Sequence, residues 1–258
     1  MKRLFLALAA SLLCAPAFAA GKLADVTVYD RATHRLLPVH WSDGRAFVAG
    51  APGNEYAIRV RNRSNVDLLA VVSVDGVNAV TGQTASPVQS GYVIPARGYL
   101  EIKGWRKSLE RTAAFYFTDL GDSYAARTGR PDNVGVIGVA LFKRKQEPAV
   151  SFEEKRWRQQ APSPSADSAA SGAAPAAKAQ ERAAAEPSLG TGHGRSETSY
   201  ARHVQFERES DLPNEVVSIR YDSRANLVAL GVIPAPRTAP RYEPDPFPAV
   251  FVPDPPGR

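Results

Sequence analysis

Leu68-Leu69-Ala70-Val71-Val72-Ser73-Val74-Asp75-Gly76-Val77 is the stretch on which the fold turns. Its first seven residues are apolar except Ser73 and rich in valine, which suits a strand covered on both faces. Asp75-Gly76 then interrupts the run and Val77 resumes it. An Asp-Gly pair between apolar runs signals a tight hairpin, because a type I′ turn needs positive φ at both central residues. A hairpin built on a doubly covered strand implies a second layer of sheet.

The flanking sequence repeats the strand signal. Upstream, Val26 and Val28 alternate with Thr27 and Tyr29, and Tyr56, Ile58 and Val60 alternate with Ala57, Arg59 and Arg61. The second set predicts one apolar face and one basic face. Downstream, residues 92–94 and 99–102 read as short strands joined through Pro95-Ala96-Arg97-Gly98. Residues 112–118 carry Phe115-Tyr116-Phe117, and residues 134–142 form the longest apolar run, with Gly135 and Gly138 inside it. Between these, residues 122–127 suit one helical turn that Gly129 and Pro131 stop. Roughly eight strands in about 120 residues, with no long helix between them, predict an all-β fold. The expected architecture is an antiparallel β-sandwich, jelly-roll-like, with a small strand-rich C-terminal segment after a disordered linker.

The ends and the middle of the chain differ in character. Met1-Lys2-Arg3, an apolar run and Ala17-Phe18-Ala19 have the three-part layout of a signal peptide over residues 1–20, cleaved after Ala19 or Ala20. Export to the periplasm or the extracellular space is expected. Cleavage removes Cys14, the only cysteine, so no disulfide or thiolate chemistry remains. Leu13 before Cys14 argues against a lipoprotein. Losing Lys2 and Arg3 takes the formal net charge from +6 to +4. That balance fits an anionic neighbour and does not argue for nucleic acid, which wants clustered cations. The apolar run is too short to span a bilayer. Residues 21–145 form the sandwich domain. Residues 146–198 are an Ala/Ser/Pro-rich linker with too little apolar surface to offset ordering. Residues 199–233 form a small β segment, with strands at 203–207, 215–221 and 227–233, expected to pack against the first block and add strands to an edge; the alternative is a separate marginal unit at the end of the linker. Residues 234–258 are a tail in which nine of 25 residues are proline.

Several runs carry a resemblance. They are Leu69-Ala70-Val71-Val72-Ser73-Val74-Asp75-Gly76-Val77-Asn78, Gly104-Trp105-Arg106-Lys107-Ser108, Ala114-Phe115-Tyr116-Phe117 and Asn133-Val134-Gly135-Val136-Ile137-Gly138-Val139. Together they resemble a group of uncharacterised exported proteins of Gram-negative bacteria. A weaker likeness runs through Gly192-His193-Gly194 and Tyr221-Asp222-Ser223. The resemblance implies an envelope setting and carries over no catalytic residue and no activity.

Each candidate chemistry meets a plainer account. Gly190-Thr191-Gly192-His193-Gly194 lacks the preceding strand and following helix of a phosphate loop, and reads as a flexible re-entry. His34, His40, His193 and His203 lack metal-ligand spacing. Asp119, Asp122 and Ser123 lack the calcium-loop pattern and suit a turn and a helix cap. Ser108, His34 or His40, and Asp75 supply triad residue types with no nucleophile elbow. No catalytic residue, metal or cofactor is therefore assigned. The candidate ligand contacts are Trp105, Arg106, Lys107 and Arg111, an aromatic beside cations in a loop; the alternative is that Trp105 plugs the core. Arg59, Arg61 and Arg63 read first as a solvated strand face. Lys155-Arg156-Trp157-Arg158 opens the linker, and Trp157 is a candidate peripheral surface contact.

The functional expectation is an exported, non-catalytic binding or adaptor module of the bacterial cell envelope, acting through protein–protein contacts. One alternative is a binder or hydrolase of anionic envelope glycans, with Glu101 or Asp119 as acid and base. Another is a structural or assembly component of the envelope.

Overall fold

The computed structural model describes residues 19–146 and 188–235. Both faces of β6 (Leu68–Val74) are covered, as its composition requires. Leu68, Ala70, Val72 and Val74 enter the main core, while Leu69 and Val71 join Ala140 and Phe142 in a second cluster capped by Val93 and Phe206. Asp75 and Gly76 have φ of 52° and 73°, the paired left-handed residues of a type I′ turn, and lead into β7 (Val77–Asn78).

Two sheets of seven strands each result. In the first, β1 (Ala24–Asp30) lies between β2 (Arg35–Leu36) and β5 (Glu55–Asn62). β5 also pairs with β9 (Tyr99–Ile102) and with β11 (Arg111–Asp119), which pairs in turn with β10 (Gly104–Arg106) and β13 (Leu189–Thr198). The second runs from β3 (His40–Ser42) through β4 (Arg45–Gly50), β14 (Glu215–Ser223) and β12 (Val136–Lys143) to β6 and β7, with β8 (Tyr92–Ile94) alongside β6. Among the described residues only β4 and β14 pair in parallel. Val26, Val28, Ile58, Val60, Phe115 and Phe117 from the first sheet share one buried cluster with Val72, Val74, Ile137, Val139, Val217 and Ile219 from the second. The fold is thus an all-β sandwich. Among the described residues no helix is long and apolar enough to cross a membrane.

The C-terminal segment departs furthest from expectation. β14 does not add to an edge; it fills an interior place between β4 and β12, and buries Val217, Ile219 and Tyr221. Residues 189–198 are not linker. They form β13, whose glycines have a packing reason: Gly192 lies opposite Tyr116, and a Cβ there would sit 2.2 Å from the tyrosine ring. Residues 203–207 are irregular rather than a strand, with Phe206 as their anchor in the second cluster. The strand expected at 227–233 is absent: residues 227–229 end a helix and residues 230–233 form a turn. α1 (Tyr124–Arg127) is the short helix expected after β11, capped by Ser123 accepting from the Ala126 N–H. α2 (Arg224–Ala229) has the same cap, Ser223 accepting from the Asn226 N–H, and good helix formers behind it. Gly231, at φ 71°, follows it. Ala20 is already inside the fold, exchanging two backbone hydrogen bonds with Val26 at 3.0 and 2.8 Å. The rest of the expected signal peptide, residues 147–187 with Trp157, and the tail from residue 236 lie outside the described residues.

Candidate functional site

Tryptophan placement decides which surface can bind. Trp105 stands on β10, a strand rather than a loop, and is 4 % exposed. Its ring meets Phe115 edge-on at 5.1 Å and Tyr124 at 4.9 Å, and its indole N–H donates to the Gly192 carbonyl at 3.3 Å. It plugs the core and offers no face to a ligand. The Arg106 guanidinium donates to the Ser199 carbonyl at 2.5 Å and to Ser199 Oγ at 3.1 Å, so it holds the irregular segment after β13. Lys107 and Arg111 are exposed, and Arg111 reaches Ser196 Oγ at 3.1 Å. The four residues named together in sequence therefore do not form one surface.

The basic strand face of β5 is present and partly paired; Arg61 is exposed and has no ion pair among the described residues. Arg59 donates to Glu101 at 2.6 Å and lies 3.4 Å from the centroid of the Tyr29 ring. Arg63 pairs with Asp25 at 3.2 Å. Arg31 pairs with Glu197 at 2.5 Å and with Glu55 at 3.2 Å, and Arg195 pairs with Glu55 at 2.7 Å. A depression of about 410 Å³ lies over this cluster, lined by Tyr29, Arg31, His34, Gly53, Glu55 and Arg195, and its charges already satisfy one another. Burial pushes Glu101 up, but the hydrogen bond and charge of Arg59 outweigh it and hold the carboxyl below its ordinary value. Glu101 is thus a poor proton donor near neutrality, which weakens it as a general acid.

A buried polar chain ties the sheets together. Tyr221 donates to Asp75 Oδ1 at 2.5 Å, Gly135 N–H donates to the same oxygen at 3.0 Å, and Thr191 N–H donates to Oδ2 at 2.7 Å. Thr191 Oγ1 lies 2.7 Å from the Tyr221 hydroxyl and 2.6 Å from that of Tyr56. With Tyr221 committed to Asp75, Thr191 donates to Tyr221 and accepts from Tyr56, so every hydroxyl is satisfied. Burial raises the Asp75 pKa to about 6 against the pull of these hydrogen bonds. Burial also pushes both tyrosine hydroxyls well up, so they stay protonated. None of the hydrogen-bond partners of Asp75 is a histidine, and the triad types do not assemble around it. The chain is structural: it fixes β13 and β14 to the turn after β6.

A second depression carries an exposed tryptophan. An open depression of about 610 Å³ is lined by residues 19–22, Trp41, residues 44–46, residues 215–218 and Arg220. Trp41, on edge strand β3, is 56 % exposed, and Val216 is 61 % exposed. The β3–β4 hairpin that presents Trp41 turns on Asp43 and Gly44, at φ 50° and 70°, a second type I′ pair. Lys22, Arg45 and Arg220 surround the tryptophan, are exposed, and have no ion pair among the described residues. Glu215 is present, but its carboxylate is engaged at 2.6 Å by each of the Lys22 and Leu23 backbone N–H groups. The surface is an aromatic platform whose positive charges have no ion pair among the described residues. Sequence reading missed it, since His40-Trp41-Ser42 is too short for a pattern; the cue was a tryptophan beside an Asp-Gly turn and an arginine. No group of three or more His, Cys, Asp or Glu side chains that could hold a metal occurs among the described residues.

Comparison with protein-family models, with curated proteins and with solved structures finds no match.

Proposed function

We propose that the protein is an exported, non-catalytic binding module of the bacterial cell envelope that grips an acidic protein segment at the Trp41 depression. One observation carries the reading: Lys22, Arg45 and Arg220 line one depression with an exposed tryptophan and have no ion pair among the described residues, whereas of the arginines on the other sheet Arg31, Arg59, Arg63 and Arg195 are paired and Arg61 alone of that group is not. Cations held without counter-ions beside a wet aromatic face suit a ligand that brings carboxylates and some apolar surface. A short edge strand next to the platform also leaves backbone groups for a partner chain.

The exposed Trp41 face also supports a second reading, an anionic glycan stacked on the indole. Titration of the full chain with polyglutamate and with a uronic-acid oligosaccharide, followed by thermal shift, separates the two. Polyglutamate stabilisation that is lost in a Trp41→Ala/Arg45→Glu variant supports the protein reading. Stabilisation by the oligosaccharide alone moves the assignment to glycan. Stabilisation that the double variant leaves untouched removes the site.

A further inference from the structure

We infer that an extended acidic segment of a partner protein docks at the Trp41 depression as an added strand, along a stretch of β14 that β4 does not reach. The inference rests on the binding site proposed above and names how its ligand is held. β12 pairs with β14 from Glu215 to Arg220, but β4 pairs with it only from Ile219 to Ser223. Residues 215–218 therefore have a strand on one side only, although β14 lies in the interior of its sheet. The same four residues line the depression. They span about 13 Å at roughly 3.3 Å per residue, room for a strand of about four residues.

The pairing fixes which backbone groups face the depression. The N–H and C=O of one residue point to the same side of a strand, and those of the next residue to the other. Tyr221 N–H donates to the Gly135 carbonyl at 2.9 Å, on the β12 side. The Val136 carbonyl accepts from Asp75 N–H at 2.8 Å, on the far side of β12, so Ile137 and Val139 face Ile219 and Val217. Both bonds agree that Glu215, Val217 and Ile219 turn their backbone groups to β12. Val216 and Ser218 turn theirs to the depression, where neither meets a strand among the described residues. The side chains suit an acidic strand. Arg45 and Arg220 adjoin Ala46 and Ile219, which are buried, so they project on the opposite, exposed face, shared with Val216 and Ser218. A segment with a carboxylate at every second position sets them all on one face, beside guanidinium groups that have no ion pair among the described residues. Ladder hydrogen bonds then supply affinity, and the cations select the charge.

A capped hexapeptide of alternating Glu and Thr, titrated calorimetrically into the full chain, tests the inference. Two derivatives carry backbone N-methyl groups, one on every Glu and the other on every Thr. In an added strand only one of these sets faces β14, because alternate N–H groups point away. The parent peptide should bind, and one methylated set should weaken it about tenfold or more, as for hydrogen bonds removed. The other set should keep nearly the parent affinity. The changes lie in the peptide, so the fold of the protein is not at stake. Parent affinity should also fall several-fold in Arg45→Glu/Arg220→Glu at an unchanged thermal midpoint. Equal binding by both methylated sets, or equal loss with both, overturns strand addition. A dimer of the full chain in sedimentation that the hexapeptide dissociates assigns the stretch to a second copy and also overturns it. The binding mode and the site fail separately. Polyglutamate stabilisation that depends on Trp41, with no hexapeptide binding or with indifference to N-methylation, removes only the added strand. No binding by either probe removes the site as well.

Discussion

Trp105 and Trp41 occupy matching local settings and opposite physical ones. Each sits in the middle of a three-residue strand, next to a residue that can hydrogen-bond or carry charge. Yet one is 4 % exposed and the other 56 %. The difference is made by what passes over them. β13 and α1 roof Trp105 with Gly192 and Tyr124, whereas β3 is the edge of its sheet and no strand among the described residues pairs beyond it. An aromatic beside cations is thus a site only where the topology leaves it uncovered.

The largest test of that contrast is a pair of truncations. Trp105→Ala should cost about 3–5 kcal/mol, the usual range for emptying a buried aromatic position. Trp41→Ala should stay within about 0.5 kcal/mol, as surface changes do. Urea unfolding of both variants reads the difference directly. Equal losses would mean that Trp41 is as much a part of the core as Trp105.

The next effect comes from the anchor that holds the roof. Asp75 titrates at about 6 in the fold against an ordinary value of 3.8. Between those values the native protein holds a proton that the unfolded chain has released. Its contribution is therefore complete below about pH 4, is lost as pH rises through 6, and is level above that. Each tenfold gain in proton affinity on folding is worth about 1.4 kcal/mol, so up to about 3 kcal/mol is at stake. Glu101 and Glu197 run the other way: their ion pairs lower their values, so their contribution is present above the ordinary carboxylate range and is lost as pH falls. The Asp75 contribution is isolated by subtracting the stability profile of Asp75→Asn, measured by urea unfolding from pH 4 to 8. The difference should slope between about 4 and 6, and parallel profiles would show that Asp75 does not titrate there.

Much of this could be read from local sequence, and what could not has a common cause. Asp75-Gly76, the Arg59 and Arg61 alternation and the Ser123 cap are local decisions, settled within a few residues, and the fold keeps them. The hydrogen-bond partners of the Asp75 carboxylate, two backbone N–H groups and the Tyr221 hydroxyl, lie 60, 116 and 146 residues away, so nothing near the turn announces them. The helix at 224–229 was hidden by Leu227, Val228 and Ile233, which look like a strand until the Ser223 cap is noticed. β13 was obscured by its glycines, which suggest looseness locally and are explained only by Tyr116 on the neighbouring strand. Trp41 is exposed because of sheet order, and sheet order is not a property of any short run.

Gly192 sharpens the contrast at the next magnitude down. It forms the roof of Trp105 through its carbonyl, and Tyr116 lies across its Cα. Gly192→Ala forces that ring aside and should cost about 1–3 kcal/mol, in the range for overpacking. In a Tyr116→Ala background the same change should cost much less. A thermal double-mutant cycle measures the coupling. Additive losses would place the strain in the β13 backbone instead of in the ring.

The smallest effect separates the two sets of arginines. Arg59 is paired with Glu101 and stacked on Tyr29, while Arg45 is exposed with no ion pair among the described residues. Arg59→Gln should lose about 0.2–1 kcal/mol, the range of a surface pair, and the loss should shrink in high salt because the pair is screened. Arg45→Gln removes a charge that stands beside Lys22 and Arg220, so stability should hold or rise slightly at low salt. Opposite signs at low salt, converging as salt is added, would mark Arg59 as a residue that serves the fold and Arg45 as one held ready for a partner. Equal losses for the two would mean that Arg45 is already neutralised within the chain, and the Trp41 surface would then have no spare charge to offer a ligand.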